Sequence, residues 1–115
     1  MRDLARSATE ADDAPYQPYA LQDGTPAGEV KLIRKRDDEG RTLIVGHYRC
    51  EHPVEGVQDY DVNDSMWILE GEAHVWTEDG RELHLTPGTF AAFRKGQKAR
   101  FTQSAGFKKF FVMTD

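Results

Sequence analysis

The sequence predicts an all-β fold, a sandwich or barrel made almost wholly of antiparallel sheet. Three observations carry the prediction: short apolar and β-branched runs recur along the chain, turns containing Gly, Pro or Asp separate them at regular spacing, and no stretch sustains a helical period.

Taken in order, residues 1–14 hold Glu10, Asp12 and Asp13 and little that can be buried, and read as a mobile lead-in. One domain is expected over residues 15–115, with an N-terminal arm at 15–29. Pro15 and Pro18 exclude a helix interior there, while Tyr16, Tyr19 and Leu21 give an extended segment something to dock, a partner subunit being one candidate. Residues 30–34 and 42–50 read as strands on either side of a turn at 37–40. Past Pro53, strands are expected at 57–62, 65–70, 72–77 and 81–85, the last two flanking the hairpin turn of Glu78, Asp79 and Gly80. Residues 90–93, 99–103 and 107–113 close the series.

At 115 residues the chain is long enough to bury one core without disulfides and too short for two independent ones. Cys50 is the single cysteine, no apolar run is long enough to span a bilayer, and the first residues lack the apolar core of a signal peptide. A soluble cytoplasmic protein is expected, with no membrane partner. The net charge of -5 argues against nucleic acid as a partner, since phosphate contacts need a basic surface. Charge is unevenly placed. Residues 51–82 carry ten acids against the single base Arg81, and residues 83–114 carry six bases and no acid, as expected of adjacent strands that neutralise each other.

Alternation is clean in the 72–85 hairpin. Ala73 and Val75 share a face with Leu83 and Leu85, which leaves His74, Trp76, Glu82 and His84 on the other. If Thr77 faces Arg81, His74 and His84 are directly opposed; two ligands are too few for a metal, and with Trp76 beside them this face is expected to pack on a second subunit. The homodimer expectation rests on that face and on the arm from Tyr16 to Leu21. A Cys-His catalytic pair is disfavoured, because His47 and Cys50 fall on opposite faces of a strand and His52 precedes Pro53. Neither a glycine-rich nucleotide loop after a strand nor a Gly-x-Ser-x-Gly elbow is present.

Five segments together resemble a known family: Val-Gly-His-Tyr-Arg-Cys-Glu at 45–51, Trp-Ile-Leu-Glu-Gly-Glu at 67–72, Asp79-Gly80-Arg81, Thr-Pro-Gly-Thr-Phe at 86–90 and Phe-Lys-Lys-Phe-Phe-Val at 107–112. They resemble a cupin, an RmlC-like jelly-roll barrel, and in particular the small single-domain cupins of unknown function related to ureidoglycine aminohydrolase and the ethanolamine-utilisation cupins. In metal-dependent cupins a glutamate and three histidines hold the ion. Alignment on Gly71 puts Asp64 at the glutamate and either Gln58 and Tyr60 or Val57 and Asp59 at two histidines, and alignment on Gly96 puts Ala99 at the third. One carboxylate with a phenol or amide does not hold a divalent transition metal against water, so neither a metal nor another cofactor is expected.

What the resemblance implies in place of a metal is a polar cluster in the barrel. Gln58, Tyr60 and Asp64 would face inward, with Lys109 or Arg100 as the cation for Asp64 and with Phe93, Phe101 and Trp67 as aromatic walls around a small polar molecule. The expected function is a metal-free binding module. The alternatives are a metal-assisted or acid-base hydrolase or isomerase of the ureidoglycine aminohydrolase kind, needing either an unconventional ligand set around Asp64 or acid-base work by Asp64 and Lys109 without metal, and an accessory subunit of a larger complex.

Overall fold

The computed structural model describes residues 15–38 and 41–115, so the expected lead-in at 1–14 and the centre of the turn at Glu39 and Gly40 lie outside the described residues. The chain forms ten strands: β1 (Gln17–Ala20), β2 (Pro26–Asp38), β3 (Arg41–Arg49), β4 (Val54–Asp59), β5 (Asn63–Glu70), β6 (Ala73–Thr77), β7 (Glu82–Leu85), β8 (Phe90–Phe93), β9 (Lys98–Gln103) and β10 (Lys108–Thr114). Every pairing is antiparallel. No helix occurs among the described residues, and hence none long and apolar enough to cross a membrane.

Two sheets face each other, one six-stranded in the order β1-β2-β3-β10-β5-β8 and one four-stranded in the order β4-β9-β6-β7. Period-two alternation decides what each contributes to the interior. From the larger sheet come Tyr48 of β3, Asp64, Met66 and Ile68 of β5, Ala91 and Phe93 of β8 and Phe111 of β10; from the smaller come Ala73 and Val75 of β6, Leu85 of β7 and Ala99 of β9, all buried. Phe107, 1% exposed, plugs the end where β9 turns into β10. The acidic and basic halves do lie side by side, with Asp59 of β4 opposite Lys98 of β9.

Two regions depart from expectation. The N-terminal strand is far longer than 30–34, because β2 runs alongside β3 for most of its length and steps across a register shift between Leu32 and Arg34. The 15–20 segment joins its own sheet as β1, paired with β2, with Leu21 buried and the Tyr19 ring edge-on to Tyr48 at 6.0 Å. β4 begins at Val54 and ends at Asp59, earlier than 57–62, because Tyr60 leaves the ladder to exchange backbone bonds with the β8–β9 turn: its N–H donates to the Gln97 carbonyl (2.9 Å) and its carbonyl accepts from Gly96 (2.7 Å).

Gly71 explains why the bend between β5 and β6 carries glycine. Its φ is +73°, and a Cβ there would sit 2.7 Å from Phe107 Cα and 2.9 Å from Phe107 N, main-chain atoms that cannot turn aside. Gly80 also has positive φ (+93°) but nothing within 4 Å of an added Cβ. Gly71→Ala is therefore expected to lose roughly 2–5 kcal/mol, backbone strain plus overpacking, in urea unfolding, and Gly80→Ala only about 1 kcal/mol. Equal losses would show that the approach of Phe107 does not matter.

Candidate functional site

The inner faces of the two sheets leave a cavity of about 80 Å³. Its wall is mostly apolar, and its polar groups come from six elements, two of which, β1 and β3, supply the hydroxyls of Tyr19 and Tyr48. β5 supplies Asp64, β10 supplies Lys109, β4 and the residue that follows it supply Gln58 and Tyr60, and β9 supplies Gln103. Register brings them together: Asp64 lies opposite Met113 and Phe93, Lys109 opposite Ile68 and Tyr48, and Gln58 opposite Ala99.

Asp64 is the anomaly. The residue is 3% exposed, and its Oδ1 is buried with no hydrogen-bond partner. Burial raises its carboxyl pKa above the ordinary value, and the positive charge of Lys109 offsets part of that rise. Burial likewise lowers the Lys109 pKa, and Asp64 partly restores it. The ammonium has only soft company otherwise, with Met66 Sδ at 3.8 Å and the Tyr48 ring centroid at 5.4 Å. A buried carboxylate and a buried ammonium thus share one small space while making few of the hydrogen bonds each can make.

The tyrosines frame them. Tyr60 stacks flat on Phe93, centroids 4.8 Å apart and planes 3° apart, and burial raises its pKa, as does the negative charge of Asp64. The Tyr48 hydroxyl sits between the Ala27 carbonyl, to which it donates, and the Gln103 side-chain oxygen at 2.8 Å. One hydroxyl proton cannot serve two acceptors, so the Gln103 amide turned to present its NH2 gives the better network. Cys50 Sγ lies 3.4 Å from the Ser104 carbonyl, and burial raises its pKa, which makes it a structural thiol.

All six residues expected at the site, Gln58, Tyr60, Asp64, Phe93, Phe101 and Lys109, line this cavity. Between the two alignments, Gln58 and Tyr60 face inward, while Val57 and Asp59 are exposed. Two expectations are corrected. Trp67 is no wall: it is 49% exposed, because it stands three residues from Asp64 on the same strand and alternation sends it to the opposite face. Arg100 does not reach Asp64; it lies on the outer face of β9 with its guanidinium 4.8 Å from the Trp76 ring centroid. Sequence reasoning missed Tyr19, Tyr48, Met66 and Gln103. Met66 could have been found by counting two from Asp64, whereas Tyr19, Tyr48 and Gln103 needed the pairing of distant strands.

These donors do not fit the metal of the fold family. Asp64 is one carboxylate, its neighbours are an amide, a phenol held protonated by burial and an ammonium, and no imidazole or thiolate joins them. Among the described residues, the group of metal-capable side chains whose ligand atoms converge is Glu72, His74 and His84, on the outside of the smaller sheet.

Two antiparallel sheets closing on an inward-facing polar cluster define a cupin. The chain matches the model of the EutQ-like cupin domain over residues 34–111 and belongs to that family. No curated protein matches the sequence. Among solved structures, it is similar to a protein described as ethanolamine utilization protein Q of Salmonella typhimurium LT2 (12% identity, TM-score 0.58, 88% of this chain and 94% of that one). It is also similar to an RmlC-like cupin of Shewanella frigidimarina NCIMB 400 (12%, TM-score 0.63, 90% and 85%), and to iron(II) HppE (16%, TM-score 0.62, 89% of this chain). The chain spans only 57% of the HppE chain. At these identities the likeness is one of fold.

The Asp64 environment has a signed consequence for stability. Its pKa is raised in the folded state, so between the ordinary carboxylate value and that raised value the folded chain holds more protons than the unfolded one, and stability falls as pH rises through this window. Asp64→Asn removes the titration. The variant is expected to melt above the parent at neutral pH, with the gain shrinking as pH falls to the ordinary carboxylate value. A gain that does not change with pH would mean that the Asp64 pKa is not raised on folding.

Proposed function

We propose that this cupin is a metal-free binding module that takes one small polar molecule inside the barrel. The observation that carries the reading is the buried, unpartnered Oδ1 of Asp64 beside Lys109 in an aromatic-walled cavity. Leaving such groups unpaired costs about 1–3 kcal/mol each, and a guest with both a donor and an acceptor would repair both. Asp64 accepts from the guest's N–H or O–H, Lys109 donates to its carboxylate or carbonyl, and Phe93, Phe101 and Tyr60 pack against its carbon skeleton. The cavity volume limits the guest to a handful of non-hydrogen atoms.

One observation favours a second reading. Burial moves the pKa values of Asp64 and Lys109 toward each other, the direction that suits a base and an acid working near neutral pH, as in a metal-free hydrolase or isomerase. In that case a bound guest would be converted during incubation.

Native mass spectrometry of the full chain tests binding. The expected result is a small adduct on the parent that is absent from Asp64→Asn and Lys109→Met, each of which removes a charge-assisted hydrogen bond and weakens binding about tenfold or more. A bare parent that shows no thermal shift with a panel of small amino, hydroxy and dicarboxylic acids would overturn the proposal.

The reading includes a homodimer. What supports it is exposed apolar surface: Trp67 and Phe90 (61% exposed) stand edge to face at 6.5 Å on the outside of the larger sheet, while His74, Trp76 and His84 lie outside the smaller. The more exposed Trp67 and Phe90 face is the better seam, and the segment from Tyr16 to Leu21 borders the same sheet as β1. Light scattering should give about twice the 13.1 kDa chain mass; a single-chain mass removes the dimer and leaves the binding reading intact.

A further inference from the structure

The hairpin of β6 and β7 places His74 and His84 directly opposite each other, on the sheet face away from the cavity. Their rings stack at 4.3 Å with planes 10° apart. Glu72 at the bend before β6 completes the group: its Oε2 lies 3.0 Å from His84 Nε2, and one ligand atom from each of the three residues lies within 4.8 Å of the others. The position of Glu72 is fixed by its backbone, whose N–H donates to Ser104 Oγ (3.0 Å) and whose carbonyl accepts from Ser104 N–H (2.9 Å).

We propose that Glu72, His74 and His84 form a surface site for a divalent transition metal of the zinc, nickel or copper class. Two imidazoles and a carboxylate are the donor set these borderline ions prefer, whereas calcium and magnesium demand oxygen ligands. Ligands around a tetrahedral ion at about 2.0–2.1 Å stand about 3.3 Å apart, so the group closes on an ion once the stacked His74 and His84 rings turn their in-plane lone pairs toward it. The three side chains are partly or wholly exposed and free to turn. Two of the ligands sit on paired strands of one rigid hairpin, which limits what must be ordered on binding. Three protein ligands leave at least one coordination position open for water or for an outside donor. The carboxylate of Glu82, opposite Trp76 on the same face, adds negative charge, and Arg100, paired with Trp76 from β9, is engaged on the Trp76 ring.

Trp76 reports on the site, because its ring lies 6.0 Å from that of His74. In a Trp67→Phe background, which leaves Trp76 as the sole tryptophan, nickel(II) should quench the emission saturably, and titration calorimetry with zinc should give one ion per chain. His74→Asn and His84→Asn should each weaken zinc binding by more than the roughly 10–100-fold that loss of an outer-shell partner costs. All three positions face solvent and can be changed without disturbing the core. Asp64→Asn should bind zinc like the parent. Absence of saturable binding, or binding indifferent to both histidine substitutions, would overturn the site. Loss of zinc in Asp64→Asn alone would place the ion in the barrel, and would overturn the metal-free reading of the cavity as well.

Discussion

Strand β10, the last of the chain, lies between β3 and β5 in the middle of the larger sheet. Without it that sheet separates into a β1-β2-β3 piece and a β5-β8 piece, neither backed by the other. Its inner residues Lys109, Phe111 and Met113 also form one wall of the cavity. The core, the sheet and the candidate site therefore depend on one set of pairings between residues far apart in sequence, the kind of topology in which loop-closure entropy is spent before the contacts that offset it form. The sharp bend at Gly71 serves the same closure, since Phe107, which approaches it, begins the run into β10.

The polar cluster works against this economy. A barrel filled with leucine at 64 and 109 would avoid desolvating two ionisable groups, and a buried pair rarely favours stability over a well-packed apolar alternative. Asp64 and Lys109 nevertheless stand opposite the aromatic rings of Phe93 and Tyr48 in a mostly apolar space. The same contrast separates the two clusters of the molecule. The inner one is buried and poor in partners, while the outer one of Glu72, His74 and His84 is partly or wholly exposed and already joined by hydrogen bonding and ring stacking.

How much of this could be read from the residues follows from the range of the interactions. The β6–β7 hairpin was fully legible, down to the opposition of His74 and His84, because a tight turn fixes its register locally. Asp64, Tyr60, Gln58, Phe93 and Phe101 were legible as inward residues through the likeness to cupins, and Lys109 only as one of two candidate cations. Trp67 is not the wall that the likeness to cupins implies, and its odd spacing from Asp64 on one strand already excludes a shared face. Arg100 failed for the same reason, being odd-spaced from Phe101, the wall beside it. The length of β2, the docking of β1 and the contribution of Tyr48 and Gln103 were not legible: each depends on which distant strand lies alongside, and one chain's local pattern does not encode that. Glu72 escaped notice as a third ligand because it sits in the bend, where alternation assigns no face.

Pro18 has a further consequence. It lies within β1, the outermost strand of the larger sheet, and having no N–H it cannot take part in a ladder on the open side. The opposite border, β8, is only four residues long, as is β7 at one margin of the smaller sheet. Short or proline-blocked margins resist the addition of another strand. Sheet extension into fibrils or swapped ladders is thereby discouraged at three of the four margins, which leaves the six-residue β4 as the margin most open to an added strand.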